Sequence, residues 1–382
     1  MSLALLVATL LATTPAPEPD KLEESLRPFL TGIEQAVAQE NPKVLDDAMD
    51  MRALLDKVVE GVPAPTKFRD AFLQGARSKG VNLGTQVVTA VQRDGSFRLL
   101  RVRKVGSKPR ALFRLLSGET VNYFELYLDM PAEGPPRIKD VYLFLAGETL
   151  SASMRRVYIA ASAEANRGLL DMLKGTEREF LEHASKVKEM ADLQRAGEYE
   201  KALEVYARMP PSMRKNKSVM LMRVGASYRL DSDEQYLEAI EDFEAEFPND
   251  PALDMVSIDG HFLRKDYDGA VRSIDRLEKR VGGDPYLRLL RGSVLLEKGD
   301  KAKGREELHA AVAAEPTLVN GWWTLISLAL EEKNYKETAE LLVGVETQAG
   351  VELGDLKDVP TYADFVKSRE YKAWMKKRPS NK

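Results

Sequence analysis

Cysteine is absent from the 382-residue sequence, and histidine occurs only three times. The first absence rules out disulfides, thiol nucleophiles, cysteine-ligated zinc and lipid anchors on sulfur. The second leaves little material for imidazole acid–base chemistry or a histidine-built metal site. Excess charge is lacking too: 56 Lys+Arg stand against 60 Asp+Glu, a formal net charge of −4. That balance argues against nucleic-acid binding, which needs a strongly basic surface. No apolar run reaches the roughly 20 residues that span a bilayer. Motifs for phosphate-binding loops, serine–histidine–aspartate hydrolysis and calcium loops are missing, so neither a cofactor nor a metal is expected.

What is present begins with Ser2–Ala12, an unbroken run of apolar or small residues closed by Thr13-Thr14-Pro15-Ala16-Pro17. Its length suits the core of a secretory signal peptide. The expectation is a signal peptide and Pro-rich junction over 1–19, and a periplasmic or secreted mature chain without a transmembrane segment.

The second half repeats itself. Gly197-Glu-Tyr199-Glu-Lys-Ala202 returns around Tyr236 to Ala239, as Asp266-Tyr267-Asp-Gly-Ala270, as Gly299-Asp-Lys-Ala-Lys-Gly304, and as Asn334-Tyr335-Lys-Glu-Thr338. The small residues Ala202, Ala239, Ala270, Gly304 and Thr338 recur at intervals averaging about 34 residues. Asp250-Pro251, Asp284-Pro285 and Glu315-Pro316 punctuate the units, and Trp322 with Leu325 opens the last. The segment 183–350 therefore resembles a tandem of five tetratricopeptide repeats. The resemblance implies pairs of antiparallel helices, a small residue where helix B crosses helix A, and a concave surface lined by helix A.

Carried onto this chain, the groove positions of the family are Val187/Ala191, Val224/Tyr228, Met255/Asp259, Leu289/Ser293 and Trp323/Ser327, with Tyr286 beside them. The family's clamp on a peptide carboxylate needs cations and amide donors, whereas these positions carry Val, Met, Leu and Trp. A carboxylate-clamp receptor is thereby excluded. A mostly apolar surface with Asp259 inserted remains, suited to a protein or peptide partner or to packing within the chain. After 351, Tyr362, Phe365, Tyr371 and Trp374 recur at helical spacing and predict a capping helix.

Ahead of the repeats, helical spacing of Leu22, Leu26, Phe29, Leu30, Ile33 and Val37 gives way to strand-like runs. Strands are expected at Val81–Val91, Phe97–Val105, Ala111–Leu116, Val121–Asp129 and Ile138–Leu145, separated by Gly-containing turns. Helices followed by an antiparallel meander make 20–149 an α+β domain, joined by a helical linker over 150–182 to the all-α repeats. The element order resembles the cone-shaped nuclear-transport-factor-two/ketosteroid-isomerase-like fold. That resemblance implies a small apolar ligand in the cone or, in its enzymes, a buried carboxylate beside a tyrosine. Tyr123, Glu125 and Tyr127 share one strand face, as do Asp140 and Tyr142. Phe124, Leu126, Leu128, Val141, Leu143 and Leu145 lie opposite and form the expected core faces.

One segment departs from the overall neutrality. Arg93, Arg98, Arg101, Arg103, Lys104, Lys108, Arg110 and Arg114 crowd one hairpin region with Asp94 as its sole acid. Three readings are open: a charged sheet edge guarding against aggregation, a patch docking on the acidic repeats, or contact with an anionic envelope surface. The three histidines, His183, His261 and His309, fall far apart within the repeats. The whole reads as an exported, non-enzymatic scaffold that recognises a protein or peptide through its repeats.

Overall fold

A computed structural model of the chain describes residues 21–92, 95–118, 120–165 and 175–378. The expected signal segment at 1–19 lies outside the described residues, as do Arg93 and Asp94. Two compact units divide the rest. One ends at Leu143 and takes in Thr149–Tyr158; the other comprises Phe144–Glu148 and the described residues from Ile159 on.

The first unit opens with helices α1 (Lys21–Ala38), α2 (Lys43–Ala48), α3 (Met51–Val59), α4 (Thr66–Lys79) and α5 (Leu83–Val91). Helix α1 forms because Leu26, Leu30, Ile33 and Val37 line one buried stripe. Asp50 caps α3 by accepting from the Ala53 amide at 3.0 Å. Five strands follow: β1 (Ser96–Val105), β2 (Lys108–Ser117), β3 (Thr120–Asp129), β4 (Arg137–Leu143) and β5 (Glu148–Thr149), in the order 1-2-3-4-5. Pairing from β1 through β4 is antiparallel, with a bulge between Leu99 and Arg101.

Alternation along these strands sends Phe97, Phe113, Phe124, Leu126, Leu128 and Val141 into one core with α1, α2, α3 and α5. The Phe97 ring stacks on Phe113 at 4.6 Å and meets Phe124 edge-on at 5.6 Å. Helices and aromatic rings thus fill the apolar face, and the resemblance to a ligand-holding cone finds no support. The strand expected at Val81–Val91 is a helix instead. Its β-branched residues favour a strand, but Leu83, Val87 and Val88 at helical spacing bury one side of α5 in the core, and packing prevails.

The second unit is a run of helical hairpins. After α6 (Leu150–Ala165), whose residues to Tyr158 belong to the first unit, comes α7 (Gly175–Glu182). The five hairpins are α8/α9 (Ala184–Arg195, Tyr199–Ala207), α11/α12 (Lys217–Ser227, Asp233–Glu246), α13/α14 (Pro251–Leu263, Tyr267–Val281), α15/α16 (Pro285–Glu297, Lys301–Ala314) and α17/α18 (Val319–Glu331, Tyr335–Thr347), with α10 (Pro211–Arg214) after the first. The fold is α+β followed by a tetratricopeptide-like helical array. Every second helix of a pair starts 34 residues after the previous one, at Tyr199, Asp233, Tyr267, Lys301 and Tyr335.

That regularity corrects the alignment of the second repeat. Counting 34 from Ala202 and back from Ala270 reaches Tyr236, not Ala239, and the groove equivalents of Met255 and Asp259 are Leu221 and Gly225 rather than Val224 and Tyr228. Where the position stays small, the helices approach closely. A methyl on Gly292 would lie 3.0 Å from the Gly304 carbonyl oxygen, and one on Gly304 would lie 2.7 Å from Leu296. Tyr236 cannot allow such an approach.

Helix B of the later repeats starts from a side-chain cap. Ser232, Asp266, Asp300 and Asn334 accept from the amides of Gln235, Gly269, Lys303 and Glu337. The amide bonds hold the Asp266 and Asp300 carboxyls below the usual range. Depressed carboxyls stabilise the fold above their unfolded value, about pH 4, and the contribution fades as pH falls through the folded one. Melting followed by circular dichroism should therefore drop between about pH 4 and pH 2. The Asp266→Asn/Asp300→Asn pair, whose amides cap without titrating, is expected to flatten that drop; an unchanged slope would refute the assignment.

The array ends in α19 (Ala363–Val366) and α20 (Arg369–Lys377). Phe365, Tyr371 and Trp374 are buried, with Phe365 5.9 Å from the ring of Tyr335. The terminal aromatics cover the last hairpin.

Candidate functional site

The departure at Tyr236 has a local consequence. Helix α11 ends at Ser227, whereas α13, α15 and α17 run two residues further in register. The turns of the first, third, fourth and fifth repeats close on a left-handed residue, Gly197, Lys265, Gly299 or Lys333. Asp231, at the equivalent place in the second, has no such backbone. The longer path Tyr228–Ser232 instead opens a cavity of about 240 Å³, lined chiefly by Tyr228, Leu230, Tyr236, Asp259, Phe262 and Leu263.

Three of these side chains are apolar or aromatic yet exposed: Tyr228 at 49%, Phe262 at 39% and Leu263 at 37%. The Tyr228 and Tyr236 rings meet at 5.4 Å with an interplanar angle of 60°. Tyr236 is buried, and its hydroxyl donates to Asp259 Oδ2 at 3.2 Å. Burial, reinforced by the neighbouring carboxylate, raises the Tyr236 hydroxyl. Asp259 reaches solvent at the mouth of the cavity. The surrounding helices still desolvate its carboxyl enough to raise its pKa, opposed by the bond from Tyr236. The site couples a polar floor to an apolar rim.

Of the residues expected in the concave groove, only Tyr228 and Asp259 meet here. Val224, Met255, Tyr286 and Leu289 are buried; Leu289 packs under Gly321. Trp323 is half-buried and Ser327 exposed, away from the cavity lining. Sequence reasoning missed Tyr236, Phe262 and Leu263. The signal was available in the strict period, which puts a tyrosine where the other repeats carry Ala, Gly or Thr.

Strand pairing gathers most of the described basic residues on one sheet face. Alternation places Arg98, Arg101, Arg103, Arg110 and Arg114 on the sheet face of Tyr123, Glu125 and Tyr127, and Lys104 on the other. Arg114 is buried, Arg103 forks onto Glu125 Oε1 through Nε at 2.9 Å, and the Arg110 guanidinium lies 3.4 Å above the Tyr127 ring. Lys104 and Lys108 are exposed near the hairpin turn. Counting charges along the chain ignored which face each joins and what it meets across the strands.

The two candidate carboxylates of an isomerase-like site are both buried, and both are engaged. Glu125 holds Arg103; Asp140 accepts from Lys57 Nζ at 2.9 Å, from Ser151 Oγ at 2.6 Å and from the Ser151 amide at the start of α6. His261 Nδ1 sits 2.8 Å from Asp266, and His309 Nε2 3.5 Å from Glu337; His183 precedes α8. Among the described residues no group of three or more His, Asp or Glu is placed to hold a metal, and no helix is long and apolar enough to cross a membrane.

No protein-family model and no curated protein matches the chain. Among solved structures it is similar to PilW, described as a widely conserved type IV pilus biogenesis factor, at 14% identity. That likeness has a TM-score of 0.36 and covers 50% of this chain and 97% of the PilW chain.

Proposed function

We propose that the chain is a non-enzymatic scaffold, exported from the cytoplasm, that holds a segment of a partner protein. The cavity between the second and third repeats is its docking point. One observation carries the reading: Tyr228, Phe262 and Leu263 stay exposed around a cavity at the turn where the repeat pattern is broken. Exposed apolar side chains that converge on a concavity are typical of contact sites. Burial of Met255, Tyr286 and Leu289 favours this site over the concave groove. The pairing of Glu125 with Arg103 and of Asp140 with Lys57 supports the absence of carboxylate catalysis.

Selection of displayed random hexapeptides on the purified chain tests the proposal. Selected peptides should bind at least about tenfold more weakly, 1.4 kcal/mol, to the Tyr228→Ala and Phe262→Ala variants. Met255→Glu and Trp323→Ala, which alter the expected groove, should leave binding unchanged if they fold. Binding lost on Trp323→Ala and kept on Tyr228→Ala would return the site to the groove. Failure to select any peptide would remove the scaffold reading of this cavity.

A further inference from the structure

The chemistry of the cavity narrows what the partner must bring, an inference that rests on the docking reading above. We infer that the cleft receives a cationic side chain, a lysine ammonium or an arginine guanidinium, carried by the partner segment. Its walls combine two kinds of group that attract a cation. Tyr228 and Tyr236 meet at 60°, and Phe262 completes an aromatic lining. Aromatic faces carry the negative side of a quadrupole and draw cations within about 6 Å. Acidic side chains stand beside these rings: Asp259, bonded to Tyr236, and Asp233 at the start of α12 both line the cavity.

Nearby charges on the protein agree with this polarity. The guanidinium of Arg229 lies 5.8 Å from the Tyr228 ring centroid, so that ring already attracts a cation of the chain itself. Arg264, which follows Leu263, is turned to Glu241 at 2.7 Å. A neutral apolar guest would satisfy the rim but bring no positive charge to Asp259, whose bond from Tyr236 comes from a neutral hydroxyl. An anionic guest would meet two carboxylates. A cationic side chain with an aliphatic stem matches both, the stem against Leu263 and Phe262 and the head against the rings and Asp259.

The test uses N-acetyl-arginine amide and its neutral isostere N-acetyl-citrulline amide, titrated into the full chain carrying ring-labelled tyrosine. The arginine compound should shift the tyrosine resonances saturably, and citrulline should bind at least tenfold more weakly. Asp259→Asn is expected to weaken the arginine compound at least fivefold. Tyr228→Phe, which keeps the ring face, should retain binding that Tyr228→Leu loses. Hexapeptides selected on the same chain should be enriched in Lys or Arg, and their affinity should fall with added salt. Equal binding of citrulline and arginine, or indifference to Asp259→Asn, would overturn the inference. Peptides that need Tyr228 but carry no basic residue would do so as well while leaving the docking reading intact; failure of every peptide to depend on Tyr228 would overturn that reading instead.

Discussion

Trp322→Ala is expected to destabilise the end of the array by about 3–5 kcal/mol, the usual range for emptying a buried aromatic site. The indole is nearly inaccessible, and its Nε1 donates to the Pro316 carbonyl at 2.9 Å. Its six-membered ring lies against Gly344: a methyl there would come 2.3 Å from Cζ3. Alanine at 322 removes the wall shared by α17 and α18 and leaves the Pro316 carbonyl without its donor. Urea unfolding should show the loss as a separate early transition, because consecutive repeats are stabilised by their neighbours. Gly344→Val attacks the same contact from the other side and should displace the ring. A loss under about 1 kcal/mol for Trp322→Ala would mean that the indole is not the anchor of the last hairpin.

Arg291→Ala is expected to cost about 2–3 kcal/mol, discounted from the range for a fully buried pair because its partners are partly exposed. Arg291 itself is 12% exposed as a side chain, and it bonds Asp275 at 2.9 Å, Glu307 at 3.4 Å, and Glu278. Desolvation works against its charge, but the Glu278, Glu307 and Asp275 carboxylates outweigh it and raise its pKa. Asp275 and Glu278 belong to α14 and Glu307 to α16, so one guanidinium ties the second helices of two repeats. Alanine leaves three carboxylates facing one another. Added salt should therefore recover part of the lost stability in Arg291→Ala, and Arg291→Leu with Asp275→Asn, Glu278→Gln and Glu307→Gln should recover more. If salt has no effect on the variant, carboxylate repulsion is not the cause.

The same position shows what the sequence could reveal and what it could not. It holds Arg223, Ser257, Arg291 and Leu325 in successive repeats, and only Leu325 follows the family pattern. Arg223 repeats the tie, bonding Glu238 at 3.3 Å and Asp242, with its guanidinium 5.1 Å from the Tyr206 ring. A charged residue at a core position hides a helix from a hydrophobicity reading, because its burial depends on carboxylates 13 to 19 residues away. The period itself was legible, since Gly197, Pro251, Pro285 and Trp322 each have a local backbone or packing role. Strand faces β3 and β4 were legible for the same reason: alternation is local.

The placement of the second repeat and the surroundings of the basic hairpin both depend on non-local terms. Ala239 is small and buried, so it imitates the crossing residue; the strict 34-residue count and the helix start at Asp233 both mark Tyr236 as the true equivalent. The arginines of β1 and β2 gather on one face, and strand pairing sets Glu125 beside Arg103 and Tyr127 beside Arg110, contacts that charge counting along the chain does not reveal. Leu83–Val91 was decided by burial against α1 and the sheet, which no local preference encodes.

The uniform 34-residue interval between helix starts bears on how such a chain can change over generations. Gain or loss of one whole hairpin, for example 285–318, restores the phase of every helix after it. Loss of a single residue inside a helix instead turns all that follows within that helix by about 100° and moves its buried stripe into water. Array length is thus open to duplication and excision in whole modules, while the cleft, seated on the junction of the second and third, would be inherited as a unit by any descendant that keeps those two together.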